Sequence, residues 1–197
     1  MVEFSSPFGS DEGLFDDYDA FVPAHLPEPG GFLEGHSVLT GDDHVAFHRH
    51  TRECFEERGV YDMTFDYNLA RLNLDSRHPS AGYRYAVETD DAAVLRAEFT
   101  PTTPFCPQAD TLTVGSVRAW NGLADRHEYD LVRVRIAPDA HHGADEINER
   151  LAAMERRNLE TGDVSGESDQ SASGDSDPMD RTMTSGESDR RFQSAPF

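Results

Sequence analysis

The chain has 197 residues and a formal net charge of −21, and all 17 of its basic residues are arginine. Hydrophobic residues make up 37% of the sequence, below the roughly 45–50% of ordinary globular chains, so we expect part of it to lie outside a packed core. The acidic excess argues against a nucleic-acid partner, because phosphate contacts require clustered cations.

The charge also indicates where the protein works. A lysine-free, strongly acidic surface suits concentrated salt, where the Debye length falls to about 3 Å at 1 M and self-repulsion is screened. Two cysteines are too few for a disulfide framework and favour a reducing compartment. No apolar run approaches the ~20 residues of a membrane span, and no secretory signal is visible. We therefore predict a cytoplasmic protein from a salt-rich cell, with no membrane partner.

Residues 1–41 combine acidic and aromatic residues, which proline and glycine interrupt. This composition predicts an irregular N-terminal arm. Two roles remain open: a segment that binds a partner, or aromatic side chains that dock on the domain's own surface. The aromatic residues are Phe4, Phe8, Phe15, Tyr18, Phe21 and Phe32.

A first helix is predicted from His44 to Arg58, with Asp42 or Asp43 as N-cap and Gly59 as the stop. Within it, His44 and His48 are four residues apart, a spacing at which two histidines on one helix face can bind a metal ion. They are candidate metal ligands. A solvated face, in which histidine replaces the missing lysine, is the preferred interpretation.

A second pair in the same helix, His50 and Cys54, lies on a different face, so a single ion cannot take all four side chains. After this helix, loose alternation over 61–74 predicts one or two strands. A turn at 78–82 precedes a short strand at 83–87.

The clearest segment begins at residue 94. Leu95, Ala97 and Phe99 alternate there with Val94, Arg96 and Glu98, which predicts a strand with one face buried. Prolines then fix a loop that ends at Cys106, and Pro107 suits the first turn of a helix. The apolar face of that helix consists of Ala109, Leu112, Ser116, Ala119 and Leu123.

A second firm strand is predicted at 131–136, followed by a turn at 138–143. The last helix is predicted from Asp145 to Leu159, with Ile147, Leu151 and Met154 on its buried face. If the strands at 94–99 and 131–136 are neighbours, the helix between them makes their pairing parallel.

Beyond Thr161 the composition collapses to serine, glycine and acids, and the string Ser-Gly-Glu-Ser-Asp occurs twice. Such a segment buries too little apolar surface to offset its chain entropy, so a disordered tail is expected. The predicted organisation is an arm at 1–41, an α/β domain at 42–160 and a tail at 161–197. The domain is predicted to be a small two-layer α/β (α+β) sandwich, with a mixed sheet of three or four strands and helices on one face.

Cys106 is the strongest candidate for chemistry. It lies where a proline-framed loop meets the start of a helix, and the dipole and free N–H groups of a helix start stabilise a thiolate. We therefore expect a lowered pKa for this thiol. Such thiolates attack, exchange, or bind soft metals and clusters.

Two sequence blocks resemble a known family. The loop from Phe99 to Leu112 reads Phe-Thr-Pro-Thr-Thr-Pro-Phe-Cys-Pro-Gln-Ala-Asp-Thr-Leu. It resembles the signature loop of the cytosolic iron–sulfur assembly adaptors, which form one broad family with the SufT-type and PaaD-type maturation factors. A second block, from Val134 to Arg156, resembles that family's strand, Pro-x-x-His turn and closing helix. The Asp-Pro-Glu that the family usually carries near the end of its first helix does not occur between Thr51 and Tyr61.

The resemblance implies an adaptor or carrier rather than an enzyme. It assigns the reactive thiol to Cys106 and gives His141 a role in contacting the cluster or orienting the loop; helix capping is an equal alternative for His141. The implied cofactor is a transient iron–sulfur cluster, held by Cys106 and His141. The implied partners are assembly proteins or apo-client proteins, and a homodimer stays open.

Two other functions remain open. The absent Asp-Pro-Glu favours a divergent protein-interaction module that kept the fold without cluster chemistry. A thiol-dependent redox or metal enzyme, with Cys106 as nucleophile and a histidine as base, is the third interpretation.

Overall fold

The computed structural model describes residues 13–17 and 21–164. Over these ranges the chain forms a four-stranded mixed sheet and a two-stranded hairpin, with three α-helices. The strands are β1 (Ser37–Val38), β2 (Tyr61–Asp62), β3 (Tyr67–Asn68), β4 (Gly82–Val87), β5 (Val94–Thr100) and β6 (Leu131–Ile136), and the helices are α1 (Gly41–Arg58), α2 (Ala109–Gly122) and α3 (Ala144–Thr161). The predicted α/β fold with a mixed sheet is confirmed.

The large sheet has the strand order β1-β4-β5-β6. Strand β4 pairs antiparallel with β1 and β5, whereas β5 and β6 run parallel with α2 as the connection. The register places Leu95 opposite Val132 and Phe99 opposite Ile136. The predicted parallel pair is therefore confirmed, and the loops that follow β5 and β6 leave the sheet side by side.

The helix boundaries differ from the sequence prediction at their starts. Helix α1 ends at Gly59 in a left-handed conformation (φ 66°), as predicted, but its N-cap is Thr40 rather than Asp42 or Asp43. Helix α2 has Gln108 as its N-cap, so Pro107 lies before the helix and not in its first turn. The segment predicted as one or two strands forms the β2–β3 hairpin and then a 3-10 helix at Leu69–Leu74.

The main core lies between the sheet and helices α1 and α2, with Trp120 at its centre. Its indole ring packs against Phe55 at 4.8 Å and Tyr83 at 5.0 Å between centroids. The indole N–H of Trp120 donates to the hydroxyl of Thr51 at 3.3 Å, which satisfies the polar atom of a fully buried ring. This contact joins α1 to α2.

Residues 30–32 of the N-terminal arm lie on the face of the sheet that points away from α1 and α2. The buried carboxylate of Glu98 accepts hydrogen bonds from the backbone N–H groups of Gly30 at 2.5 Å and Phe32 at 3.1 Å. The guanidinium of Arg96 lies 4.7 Å from the Phe32 ring centroid, and that of Arg135 lies 5.2 Å from it. These contacts hold the segment on its own sheet by charge-assisted hydrogen bonds and cation–π attraction.

Other aromatic residues of the predicted arm also dock on the domain. Phe15 lies 5.7 Å from Tyr67, and Phe21 lies 4.4 Å from His44, measured between ring centroids. The described aromatic residues thus adopt the second of the two predicted roles. Phe4, Phe8 and Tyr18 lie outside the described residues, as does the predicted disordered tail from residue 165 onward.

Asparagine side chains close the outer edge of β6. The amide of Asn121 in α2 bonds both the N–H and the C=O of Val132, and Asn148 in α3 does the same for Ile136. Asn73 pairs in this way with Tyr83, on the stretch of β4 that the short β1 does not reach. These amides take the place of a neighbouring strand, so edge groups that would otherwise be open to another chain are satisfied.

Within residues 13–17 and 21–164, none of the helices combines the length and apolar character needed to cross a membrane. The compartment stays a prediction from the sequence.

The Glu98 contact generates a stability prediction. A Cβ atom at position 30 would lie 2.5 Å from Oε1 and 2.9 Å from Cδ of Glu98, and this carboxylate cannot move without losing its two backbone donors. Gly30→Ala should lower the free energy of unfolding by about 1–3 kcal/mol, as overpacking does. Denaturant titration in concentrated salt measures this.

Gly31→Ala is the matched control, because a Cβ at that position meets nothing within 4 Å. Equal unfolding free energies for the two variants would contradict the assigned role of Glu98.

Candidate functional site

The candidate site lies at the ends of the parallel strands β5 and β6. The loop after β5 carries Cys106, and the turn after β6 carries His141. The backbone N–H of Ala137 donates to the carbonyl of Phe99 at 2.9 Å, and that of His142 donates to Pro104 at 3.0 Å. The fold therefore brings together the two residues that the sequence singled out, although 35 positions separate them.

Cys106 precedes the N-cap of α2 by two residues and is half-buried. Its backbone is fixed by two turns: its N–H donates to Thr103 at 3.2 Å, and its carbonyl accepts from Ala109 at 3.3 Å. The backbone N–H groups of Gln108 and Ala109 lie against the sulfur and lower the thiol pKa. The predicted placement of this sulfur at the start of a helix is confirmed.

The expected net shift of the thiol pKa is wrong, however. Burial raises the pKa of Cys106, the nearby charge of Asp62 raises it further, and together they outweigh the two N–H groups. Because the helix begins three residues after the cysteine, the sulfur meets only its first donors, while the core beneath removes water from the anion. Cys106 is therefore a protonated thiol at neutral pH.

His141 orients the loop. Its Nδ1 accepts a hydrogen bond from the N–H of Gly143 at 3.0 Å, so Nε2 carries the proton and donates to the backbone carbonyl of Cys106 at 3.1 Å. Both ring nitrogens are thereby engaged, one with the turn before α3 and one with the cysteine loop. The hydrogen bond goes to the backbone of Cys106, so this contact does not make His141 a base for the sulfur.

A third segment, which sequence reasoning missed, completes the site. The side chain of Gln108 accepts from the N–H of Met63 at 3.1 Å and donates to the hydroxyl of Thr64 at 2.6 Å. This ties the β2–β3 hairpin to the cysteine loop. Asp62, which is buried, caps the hairpin turn by accepting from the N–H of Thr64 at 2.8 Å. The Asp62-to-Thr64 spacing signals a local turn, but no sequence pattern places this hairpin beside Cys106.

Two large apolar side chains belong to the loops around the thiol. Phe105 and Met63 are each 75% exposed, and the Phe105 ring packs on His142 at 4.3 Å between centroids. Phe105 is next to Cys106 in the chain, and the backbone N–H of Met63 donates a hydrogen bond to the Gln108 side chain. We call Met63, Phe105 and Cys106 the thiol surface. Exposed apolar side chains that lie together are candidates for a protein-binding surface.

The histidines of α1 have a different environment from the one predicted. His44 and His48 are both 1% exposed, so the preferred interpretation of a solvated face is wrong. Their rings stack with centroids 5.8 Å apart. His48 donates from Nε2 to the carbonyl of Ala70 and accepts at Nδ1 from the hydroxyl of Tyr85, both at 2.9 Å. Burial lowers the pKa of His48 to about 4, which keeps this ring neutral.

His48 is a poor candidate metal ligand, because both of its ring nitrogens already make hydrogen bonds within the fold. His44 makes no such pair of bonds. The described residues contain no group of three or more histidine, cysteine or acidic side chains placed to hold a metal ion. Of the second pair, His50 lies near Glu53, with 3.9 Å from Nδ1 to the carboxylate. Cys54 is fully buried, and burial raises its pKa to about 11.

Comparison with known proteins gives a family without a described activity. Residues 13–165 match the family model described as a domain of unknown function, DUF7998. The chain belongs to the DUF7998 family. Among curated proteins, none matches it. The matched region includes the cysteine loop, the β2–β3 hairpin and the predicted arm from residue 13 onward, so family membership extends over the whole described fold.

The first prediction for this site concerns the thiol. The rate of alkylation of Cys106 in the folded protein should rise with pH to a midpoint above that of the same thiol in the unfolded chain. Because the folded state then binds the proton more tightly, the thiol contributes stability at lower pH that is lost as pH rises through this range. Cys106→Ser should abolish labelling, since Cys54 is inaccessible. A folded-state midpoint below the unfolded one would refute the assignment.

The second prediction concerns His141. Replacing it by alanine removes both side-chain hydrogen bonds, and His141→Ala should speed Cys106 alkylation at a fixed pH and lower the free energy of unfolding by about 1 kcal/mol. His142→Ala is the matched control, because that substitution keeps the backbone bond to Pro104. Unchanged alkylation in His141→Ala, or the same acceleration in both variants, would show that His141 does not fix the loop.

Proposed function

We propose that this protein is an adaptor for iron–sulfur cluster assembly or delivery that presents one thiol, Cys106, at a protein-binding surface. The observation that carries the proposal is the thiol surface itself. A half-buried sulfur sits in a fixed loop, with helix N–H groups against it and two exposed apolar side chains nearby. The resemblance of the surrounding sequence supplies the chemical identity of the cargo.

The number of cysteine ligands favours an adaptor over a protein that holds a cluster permanently. Iron–sulfur clusters are held by about four thiolates, whereas this chain has two cysteines, of which Cys54 is fully buried. Cys106 therefore provides one ligand, and the others come from an apo-client, an assembly protein or a second copy of the chain. The exposed side chains of Met63 and Phe105 provide apolar area for such a partner.

The raised pKa of Cys106 weighs against a thiol that takes up a cluster unaided, so the proposal requires a partner to be in place before the thiol reacts. Binding of iron displaces the thiol proton, so the affinity of Cys106 for iron is lowered by the free energy of deprotonation. A partner that contributes thiolates to the same iron offsets that cost. The free adaptor is then protected from oxidation and from adventitious metal, because both reactions require the thiolate.

A second candidate function rests on the same observation. A protein-interaction module that kept the fold but not the chemistry would also expose Met63 and Phe105, and its cysteine would have no need of a lowered pKa. A thiol-dependent enzyme is less favoured, because the raised pKa and the engagement of His141 with backbone groups leave the sulfur without an evident base.

The test uses the full-length chain in a salt-adapted host. We expect a Cys106→Ser strain to lose most of the activity of cluster-dependent dehydratases, with no change in the amount of this protein. Cys54→Ala is the matched control and should leave those activities intact. Undiminished dehydratase activity in the Cys106→Ser strain would remove the cluster function.

A variant pair separates the two candidates. Phe105→Ser combined with Met63→Ser should abolish partner capture under either function. Cys106→Ser should preserve capture of the partner under either function. It should abolish cluster transfer if the protein is a cluster adaptor. A Cys106→Ser strain without any phenotype, together with a strong phenotype of the double variant, would assign the interaction module.

A further inference from the structure

A cavity of about 260 Å³ lies at the N-terminal end of α1, away from the thiol surface. Its walls combine apolar side chains of the N-terminal segment with polar groups of α1 and β4. The apolar wall includes Pro23, Leu26 and Pro27, and the polar wall includes His44, Arg84 and the helix start at Gly41. The proposed cluster chemistry uses none of these residues.

His44 is the first sign that the cavity has an occupant. The side chain is 1% exposed, and neither ring nitrogen makes a hydrogen bond of good geometry among the described residues; the backbone of Leu39 is near enough to act on the ring, but its geometry is too poor to satisfy it. Burial, aided by His48 and Arg84, lowers its pKa to about 3, so the ring is neutral and keeps one donor and one acceptor. A buried polar group without a partner is destabilising, and native folds seldom tolerate this without a ligand or a water.

Arg84 and the start of α1 give the cavity a preference for negative charge. The Nε atom of Arg84 is buried and has no hydrogen-bond partner in the part of the chain that the structure describes. Helix α1 has 18 residues, and the side chain of its N-cap, Thr40, makes no capping hydrogen bond there. The N–H groups and the dipole at a helix start attract anions, and Asp42 and Asp43 in the first turn of α1 offset part of this attraction.

We propose that this cavity binds a small organic carboxylate, held at its charged end by Arg84, His44 and the start of α1. The apolar body of the ligand lies against the wall that contains Pro23, Leu26 and Pro27. Because the whole chain carries a charge of −21, long-range attraction does not recruit the anion. The site depends on local contacts, which act within a few ångströms even in concentrated salt.

Two further side chains line the cavity. The Phe21 ring rests on His44 with centroids 4.4 Å apart and covers one side of the imidazole. Glu28 also lines the cavity, and its charge raises the pKa of Arg84, which burial lowers. Glu28 therefore competes with the ligand for the guanidinium.

The test uses benzoate as the probe and the full-length protein. In nitrogen-resolved NMR spectra of the histidine rings, benzoate should shift the His44 signals in a saturable way. Benzyl alcohol, which has the same ring without the charge, should bind at least tenfold more weakly by calorimetry. Arg84→Met should also weaken benzoate binding at least tenfold, whereas Arg126→Met, at an exposed arginine paired with Glu57, should leave it unchanged.

Glu28→Gln separates a binding site from a structural contact, because removal of the competing carboxylate should tighten benzoate binding severalfold. Unchanged His44 signals in the wild-type protein would overturn the proposal, even if Arg84→Met failed to fold. Equal binding of benzoate and benzyl alcohol would also overturn it. So would saturation by chloride alone, since the apolar wall would then have no role.

Discussion

The parallel pairing of β5 with β6 is the constraint on which the rest of the molecule depends. A parallel pair needs a crossover connection, and α2 provides it while packing Trp120 into the core. The pairing also sends the loop of Cys106 and the turn of His141 out of the same end of the sheet. The hydrogen bond from His141 to the Cys106 carbonyl joins the two segments that follow this pair of strands, in which Phe99 and Ile136 are in register.

The chemistry at this end of the sheet is decided by two opposing effects on the pKa of Cys106. Backbone N–H groups at the start of α2 stabilise a thiolate, and burial with the Asp62 charge opposes it. Burial wins because the sulfur packs on the core rather than standing above the helix axis. A helix start is therefore an incomplete predictor of thiol reactivity. Two features determine whether the thiol pKa rises or falls: the position of the sulfur relative to the first helical residue, and the depth at which the loop is buried.

Much of this fold was predictable from the sequence. Alternation at Leu95, Ala97 and Phe99, and the spacing of Ile147 and Leu151, gave the strand and the helix that the structure contains. These patterns work because one face of each element is buried. The parallel partnership of β5 with β6 followed from the helix between them, and with it the juxtaposition of Cys106 and His141.

The remainder required long-range contacts that no local pattern encodes. The burial of His44 and His48 was missed because their partners, Tyr85 and Ala70, lie far along the chain. The described part of the N-terminal arm is mostly irregular, as predicted, but its docking on the sheet was missed because Glu98, which binds it, is 66 and 68 residues away. The link from Gln108 to the hairpin was invisible for the same reason.

The asparagine amides on the sheet edges limit how a partner can bind. Many proteins recognise an extended peptide by β-augmentation, in which a guest strand takes up the free hydrogen-bonding groups of an edge. At β6 those groups on Val132 and Ile136 are already bonded to Asn121 and Asn148, and on β4 Asn73 occupies Tyr83. A guest strand would have to expel these amides first. Recognition at the loop-bearing end of the sheet avoids that cost and leaves the scaffold unchanged.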